Sequence, residues 1–156
     1  MQKHSIDIIS IEDKEYPDLL KQIYNPPLCL YIIGNKEILN EVCIAIVGSR
    51  DATEYGKSVA KDFALNLSAN GVNIVSGLAR GIDSYAHIGV LKNIEKSINK
   101  RTDIVRDVKN KVGKTIAVLG NGLDTIFPSE NLKLAKNIIK TGGCIISEYP
   151  LGIRTE

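Results

Sequence analysis

The 156-residue chain is poor in the residues that staple, ligate or span. It has three cysteines, two histidines and no tryptophan, and aromatic side chains make up 5% of it. Cys29, Cys43 and Cys144 are widely spaced, odd in number and set in apolar runs, with no Cys-x-x-Cys pair. They read as reduced thiols of a cytoplasmic protein, neither a disulfide framework nor a metal site. His4 and His87 lie far apart, which argues against a zinc centre. No apolar run approaches the roughly 20 residues that cross a bilayer. The start of the chain, "MQKHSIDIISIEDKEYPDLL", carries acids early and lacks a long apolar core, so it is not expected to be a secretory leader.

What is present is an ordinary globular balance. Hydrophobic residues at 44% and charged residues at 24% suit a single domain with a respectable core. The net charge of +2 is unevenly placed. Residues 92–114 hold eight Lys or Arg against three acids, so this segment is +5 and the remainder −3.

Along the chain, residues 1–40 form a prelude with a short helix expected at 16–23 and a strand-like "LCLYIIG". "CIAIVGSR" is a continuous apolar run ending in glycine, the pattern of a strand covered on both faces. A helix follows, with Val59, Phe63 and Leu67 on one face, Asp51 placed to cap it and Gly71 to close it. "VNIVSG" and "KTIAVLG" predict two further strands. "SENLKLAKNIIKTGG" predicts a helix opened by Ser129 and stopped by Gly142, and "CIISEYP" a last strand. Alternating strands and helices imply an α/β fold with a mainly parallel sheet and right-handed crossovers. Ligands of such sheets bind beyond the carboxyl ends of the strands. Here those ends read "GSR", "SGLARGID", "GNGLD" and "SEYP", four segments able to line one crevice. Between residues 94 and 112 apolar residues recur every three or four positions, which predicts a long amphipathic helix or helical pair.

Each motif has a plain alternative. "EYGKS" resembles the end of a Walker loop, but Asp51 stands where its first glycine belongs. "GNGLDTIFP" has Gly-x-Gly without the third glycine, and Phe127-Pro128 interrupts the helix a dinucleotide site needs. Arg50 alone could pair with Asp51 or Glu54; taken with Arg80 at the next strand end, an anion site is the better reading. Asp83 and His87 are one helical turn apart, but no nucleophile or metal cluster accompanies them, and a carboxylate at a helix start favours the dipole. The basic stretch 92–114 admits two readings, a nucleic-acid arm or a solvated helix face.

Six segments in order, "YPDLLKQIYNPPLCLYIIGN", "IAIVGSR", "SGLARGID", "TIAVLGNGLD", "FPSEN" and "GGCIISEYPLG", resemble the DNA-processing protein A family (DprA, also called Smf). The resemblance spans nearly the whole chain apart from 92–114. It implies a Rossmann-like, three-layer α/β/α domain at 41–156, with 1–40 as an N-terminal extension packing on it. It implies a homodimer that binds single-stranded DNA and helps load the RecA recombinase in natural transformation (competence) and DNA recombination; the sequence itself offers no catalytic constellation, so neither an enzyme nor a cofactor is expected. The phosphate-binding residues carried over are Gly48, Ser49, Arg50, Ser76, Gly77, Ala79, Arg80, Gly81, Gly120 and Gly122. Backbone N–H groups and arginines there would give salt-dependent, largely sequence-independent affinity. Tyr55, Phe127 and Tyr149 are the candidates for base stacking.

Two departures from the family pattern are expected to matter. An insertion at about 92–114 carries the local positive charge, and Lys100, Arg101, Lys109 and Lys111 are its candidates for a basic surface or subunit contact. The family pattern also continues past "SEYPLG", so the chain reads as a fragment or a shortened member. The competing reading is a nucleotide-binding sensor or phosphoribohydrolase-like protein on the same fold. Against hydrolysis, the glycine pair in "TGGCIISE" lacks the proline and threonine of the Pro-Gly-Gly-x-Gly-Thr loop.

Overall fold

The computed structural model describes residues 5–100 and 112–154. Six strands, β1 (Asp7–Ser10), β2 (Cys29–Gly34), β3 (Cys43–Ala45), β4 (Asn73–Ser76), β5 (Thr115–Leu119) and β6 (Cys144–Ser147), make one sheet in the order β1-β2-β6-β5-β4-β3. The helices are α1 (Asp18–Lys21), α2 (Glu54–Ala69), α3 (Ile82–Lys100) and α4 (Leu132–Lys140), with single 3-10 segments at Lys36–Asn40 and Ser129–Asn131. β3 to β6 run parallel, and β1 and β2 are antiparallel additions beside β6. The mainly parallel α/β architecture read from the sequence is the one observed. No helix among the described residues is long and apolar enough to cross a membrane.

The helices α2, α3 and α4 all cover one face. Ile74 sits opposite Thr115 and Ala117 opposite Ile145, so Ile74, Ala117 and Ile145 share that face. Ile74 packs with Ala64 of α2 and with Ala86 and Val90 of α3. Ala117 and Ile145 pack with Ala135 and Ile138 of α4. The cause is topological. The strands β3, β4, β5 and β6 step across the sheet in one direction, and right-handed crossovers then keep every connecting helix on one side. On the opposite face Ile116, Cys144 and Ile146 meet Tyr16, Ile38 and Leu39, so the third layer is thin, built from α1 and a 3-10 segment. The Tyr16 hydroxyl donates to Pro27 O at 2.7 Å and anchors this N-terminal layer. A cavity of about 820 Å³ remains there, bordered by Leu20, Ile23, Val118 and Ile146.

Three local readings are corrected. The "CIAIVGSR" strand lies at the sheet edge, with Ile44 40% and Val47 69% exposed, because β4 is its one strand neighbour among the described residues. The cap of α2 is Thr53, whose Oγ1 accepts from Gly56 N at 3.1 Å, while Asp51 N donates to Ser49 Oγ. Ser129 opens a 3-10 turn, and α4 itself starts at Leu132. Gly71 (φ 82°) and Gly142 (φ 86°) do follow α2 and α4 in the left-handed conformation that ends helices. The basic helix predicted at 94–112 is described as far as Lys100, the last residue of α3; Arg101, Lys109 and Lys111 lie outside the described residues.

Candidate nucleic-acid interface

The candidate site is the set of loops that follow β3, β4, β5 and β6. Its central fastener is Asp83, in the first turn of α3 and buried. Its carboxylate accepts from Gly48 N at 3.3 Å and Gly77 N at 3.1 Å, tying the end of β3 to the end of β4. Two of the backbone donors expected to face phosphate are therefore committed internally. The glycines allow this closeness: a Cβ on Gly77 would lie 2.7 Å from Asp83 Oδ2, and one on Gly48 2.7 Å from Ile82 Cγ1. Gly81 has φ 73°, and a Cβ there would collide with Ser49 O. Ile82 N donates to Ser49 O at 3.2 Å, and Ser76 Oγ to Ile46 O at 2.6 Å, completing the join between the two loops.

The 78–80 loop is held from its other side by the residues after Pro128. Leu78 is wholly buried with φ 57°, a conformation that needs support in a non-glycine residue. Asn131 supplies it: its Nδ2 donates to Leu78 O at 2.8 Å and lies 3.0 Å from Ser84 Oγ. Its neighbour Glu130 receives both Nε and Nη2 of Arg80, each at 2.9 Å. This contact holds the Arg80 guanidinium above its ordinary pKa, with a smaller contribution from Asp51.

What faces outward is narrower than the predicted set. Gly48, Ser49, Arg50, Arg80 and Gly120 are exposed, Gly77, Ala79 and Gly81 half-buried, and Ser76 and Gly122 buried. The Arg50 guanidinium makes no ion pair or hydrogen bond among the described residues. The N–H groups of Ser49, Arg50, Ala79 and Arg80 donate to no protein acceptor among them. Gly122 N is taken by Ile153 O at 2.9 Å, and a Cβ on Gly120 would meet open space. Ser147 Oγ donates at the end of β6 to the 119–121 loop, and accepts from Tyr149 N at 3.0 Å. Among the aromatics, Phe127 is 57% exposed three residues before Glu130, Tyr149 follows β6 and Tyr55 stands on the first turn of α2. Lys57 is engaged by Glu54 at 2.6 Å on the helix surface and is not placed as a Walker lysine would be.

Neither a catalytic pair nor a metal site appears among the described residues. His87 is buried and its Nδ1 contacts Thr115 Oγ1 at 2.6 Å, while Asp83 faces the loops. No group of three or more potential ligands gathers there. Sequence reasoning missed the tie made by Asp83, the brace of Asn131 and the partner of Arg80. The adjacency of Glu130 and Asn131 in "FPSEN" was the available signal, but nothing local pairs that segment with residues some fifty positions earlier.

The fold and these strand-end loops define a Rossmann-like α/β protein with Arg50 and Arg80 exposed on the loops after β3 and β4. A model of the family described as DNA recombination-mediator protein A matches residues 7–156, and the chain belongs to that family. It is 36% identical over 146 residues to protein Smf of Escherichia coli, covering 94% of this chain and 34% of that protein. It is 35% identical to the DNA processing protein DprA of Bacillus subtilis, covering 96% of this chain and 44% of that one. The chain thus spans between a third and a half of these relatives' length. Among solved structures, DprA of Streptococcus pneumoniae superposes with a TM-score of 0.76 at 34% identity, over 98% of this chain and 46% of that one. The Helicobacter pylori protein, whose structure is described as giving insight into a single-stranded DNA binding mode, superposes at 0.75 with 27% identity, over 99% and 60%.

Proposed function

We propose that this chain binds the phosphate backbone of single-stranded DNA at the ends of β3 and β4 and serves DNA recombination and transformation. The observation that carries the reading is Arg50, exposed and unpaired among the described residues, with four backbone N–H groups of the same two loops unused there and Arg80 on the adjoining loop. Backbone donors and guanidinium groups recognise phosphate oxygens without reading bases, which suits a recombination mediator. Phe127, beside the Arg80 loop, is the first choice for stacking a base. The family and the Helicobacter pylori relative support the same ligand class. The role is one of binding rather than catalysis, in the cytoplasm, as a homodimer that presents the strand to RecA recombinase.

The test is fluorescence anisotropy of a labelled oligo-dT strand at low and moderate salt, with AMP as competitor. Binding is expected to weaken with salt and to be lost in the Arg50→Ala, Arg80→Ala double variant. Binding of AMP without the oligonucleotide would instead select the nucleotide-sensor reading.

A further inference from the structure

Of the two arginines on the loops after β3 and β4, Arg50 is free among the described residues and Arg80 is occupied. Arg80 presents Nε and Nη2 to Glu130 in a two-pronged pairing, which is also how a guanidinium grips a phosphate. The two ligands therefore compete for the same donors. Glu130 does not meet Arg80 by the chance of a flexible surface. Pro128 precedes it closely, and the next residue, Asn131, is bonded to Leu78 O and Ser84 Oγ around the arginine's own loop. Yet the pair is open to solvent, with side chains 63% and 55% exposed, so screening keeps it weak enough to exchange.

We propose that Glu130 is an internal stand-in for phosphate, which occupies the binding edge of Arg80 in the free protein and yields it when a single strand enters. This rests on the reading that Arg80 contacts backbone phosphates. It sets a threshold: a lone phosphate or mononucleotide gains little from displacing a carboxylate that is always present. A strand that also engages Arg50 and the free N–H groups gains enough. It also leaves a mark on salt dependence. A phosphate contact normally releases a condensed cation, but here the freed Glu130 carboxylate attracts one in turn. The Arg80 contact then adds little to the salt slope of the unmodified protein.

The experiment compares oligo-dT binding by the wild-type chain, Glu130→Gln, Glu130→Asp and Arg80→Ala across a salt series, with thermal unfolding verifying that each variant folds. Glu130→Gln is expected to bind roughly three- to tenfold more tightly at low salt. Its plot of log K against log salt should be steeper by up to about 0.7. Glu130→Asp, charged but a methylene shorter, should fall between. Binding that Arg80→Ala weakens but Glu130→Gln leaves unchanged or weaker, at an unaltered slope, overturns the competition and makes Glu130 a support for Arg80. If the strand binds but Arg80→Ala leaves affinity intact, phosphate does not reach Arg80 and this inference fails alone; if no variant binds the strand, the functional reading fails with it. Strand binding seen with Glu130→Gln and not with wild type would establish it most directly.

Discussion

His87 shows how a residue that looks chemical in the sequence becomes structural in the fold. It is completely buried, and its Nδ1 lies 2.6 Å from Thr115 Oγ1. That hydroxyl gives its proton to Ile74 O at 2.9 Å, so Nδ1 must carry the imidazole proton toward it. Burial outweighs a contact with the Ser76 backbone and pushes the histidine pKa down to about 3. The unfolded chain takes up a proton as the pH falls through about 6.5, whereas the folded chain does not until about pH 3. The contribution to stability is therefore intact above pH 6.5 and is lost as the pH falls from there towards 3. Across that window this one group should ease unfolding by about 1.4 kcal/mol per pH unit. Urea titrations at pH 7, 6, 5 and 4 measure it. His87→Gln should flatten the pH dependence whatever it does to stability at pH 7, and an unchanged pH dependence would show that the imidazole is not held neutral. Asp83 makes the same point with the opposite visibility. Its place at a helix start was legible from spacing, but its two acceptor bonds to Gly48 and Gly77 depend on two loops meeting in space.

At the scale of elements, β3 is the sheet-edge strand beside α2. Its partner on one side is β4, and no strand among the described residues pairs with its other side. Beside it runs a groove of about 520 Å³ lined by Ile44, Val47, Tyr55, Val59 and Phe63. An apolar strand edge of this kind is a template for pairing with another chain. Val47→Lys is accordingly expected to raise severalfold the concentration at which the protein self-associates, as read by light scattering. Its melting temperature should change little, since Val47 is already 69% exposed. Scattering that matches wild type would show that this edge is not what associates. The strands β3 to β6 were legible because apolar runs separated by helical patterns have few alternative readings. Strand β1 was not, since "DIIS" is four residues long and two of them are exposed. The edge position of β3 was equally hidden: a continuous apolar run signals apolar neighbours but does not state on how many sides they lie. The thin third layer follows from strand order, a property of the assembled sheet that no local window contains.

For the whole molecule, the question is where the attraction for a polyanion resides. The described strand ends carry Arg50, Arg80 and Arg154, but also Asp51, Asp83, Asp124, Glu130 and Glu148, so these loops do not form a strongly positive surface. The chain's surplus lies instead in residues 92–114, at +5 against −3 elsewhere. On the proposed reading, charge segregated in this way divides the labour: the strand-end loops supply the phosphate contacts and the basic segment supplies long-range attraction. Replacing Lys100, Arg101, Lys109 and Lys111 by glutamine takes the net charge from +2 to −2. If the segment acts by attraction alone, the variant should associate with oligo-dT more slowly at low salt. The difference should fade once the screening length falls to about 8 Å near 0.15 M. If the segment touches phosphates itself, the salt slope should drop by about 0.7 for each phosphate no longer neutralised, and the deficit should persist in the dissociation rate. Stopped-flow association and dissociation at three salt concentrations, with the association state followed by light scattering, separate these outcomes. Unchanged rates and an unchanged association state would make the segment a solvated helix face and leave the strand ends as the whole of the binding surface.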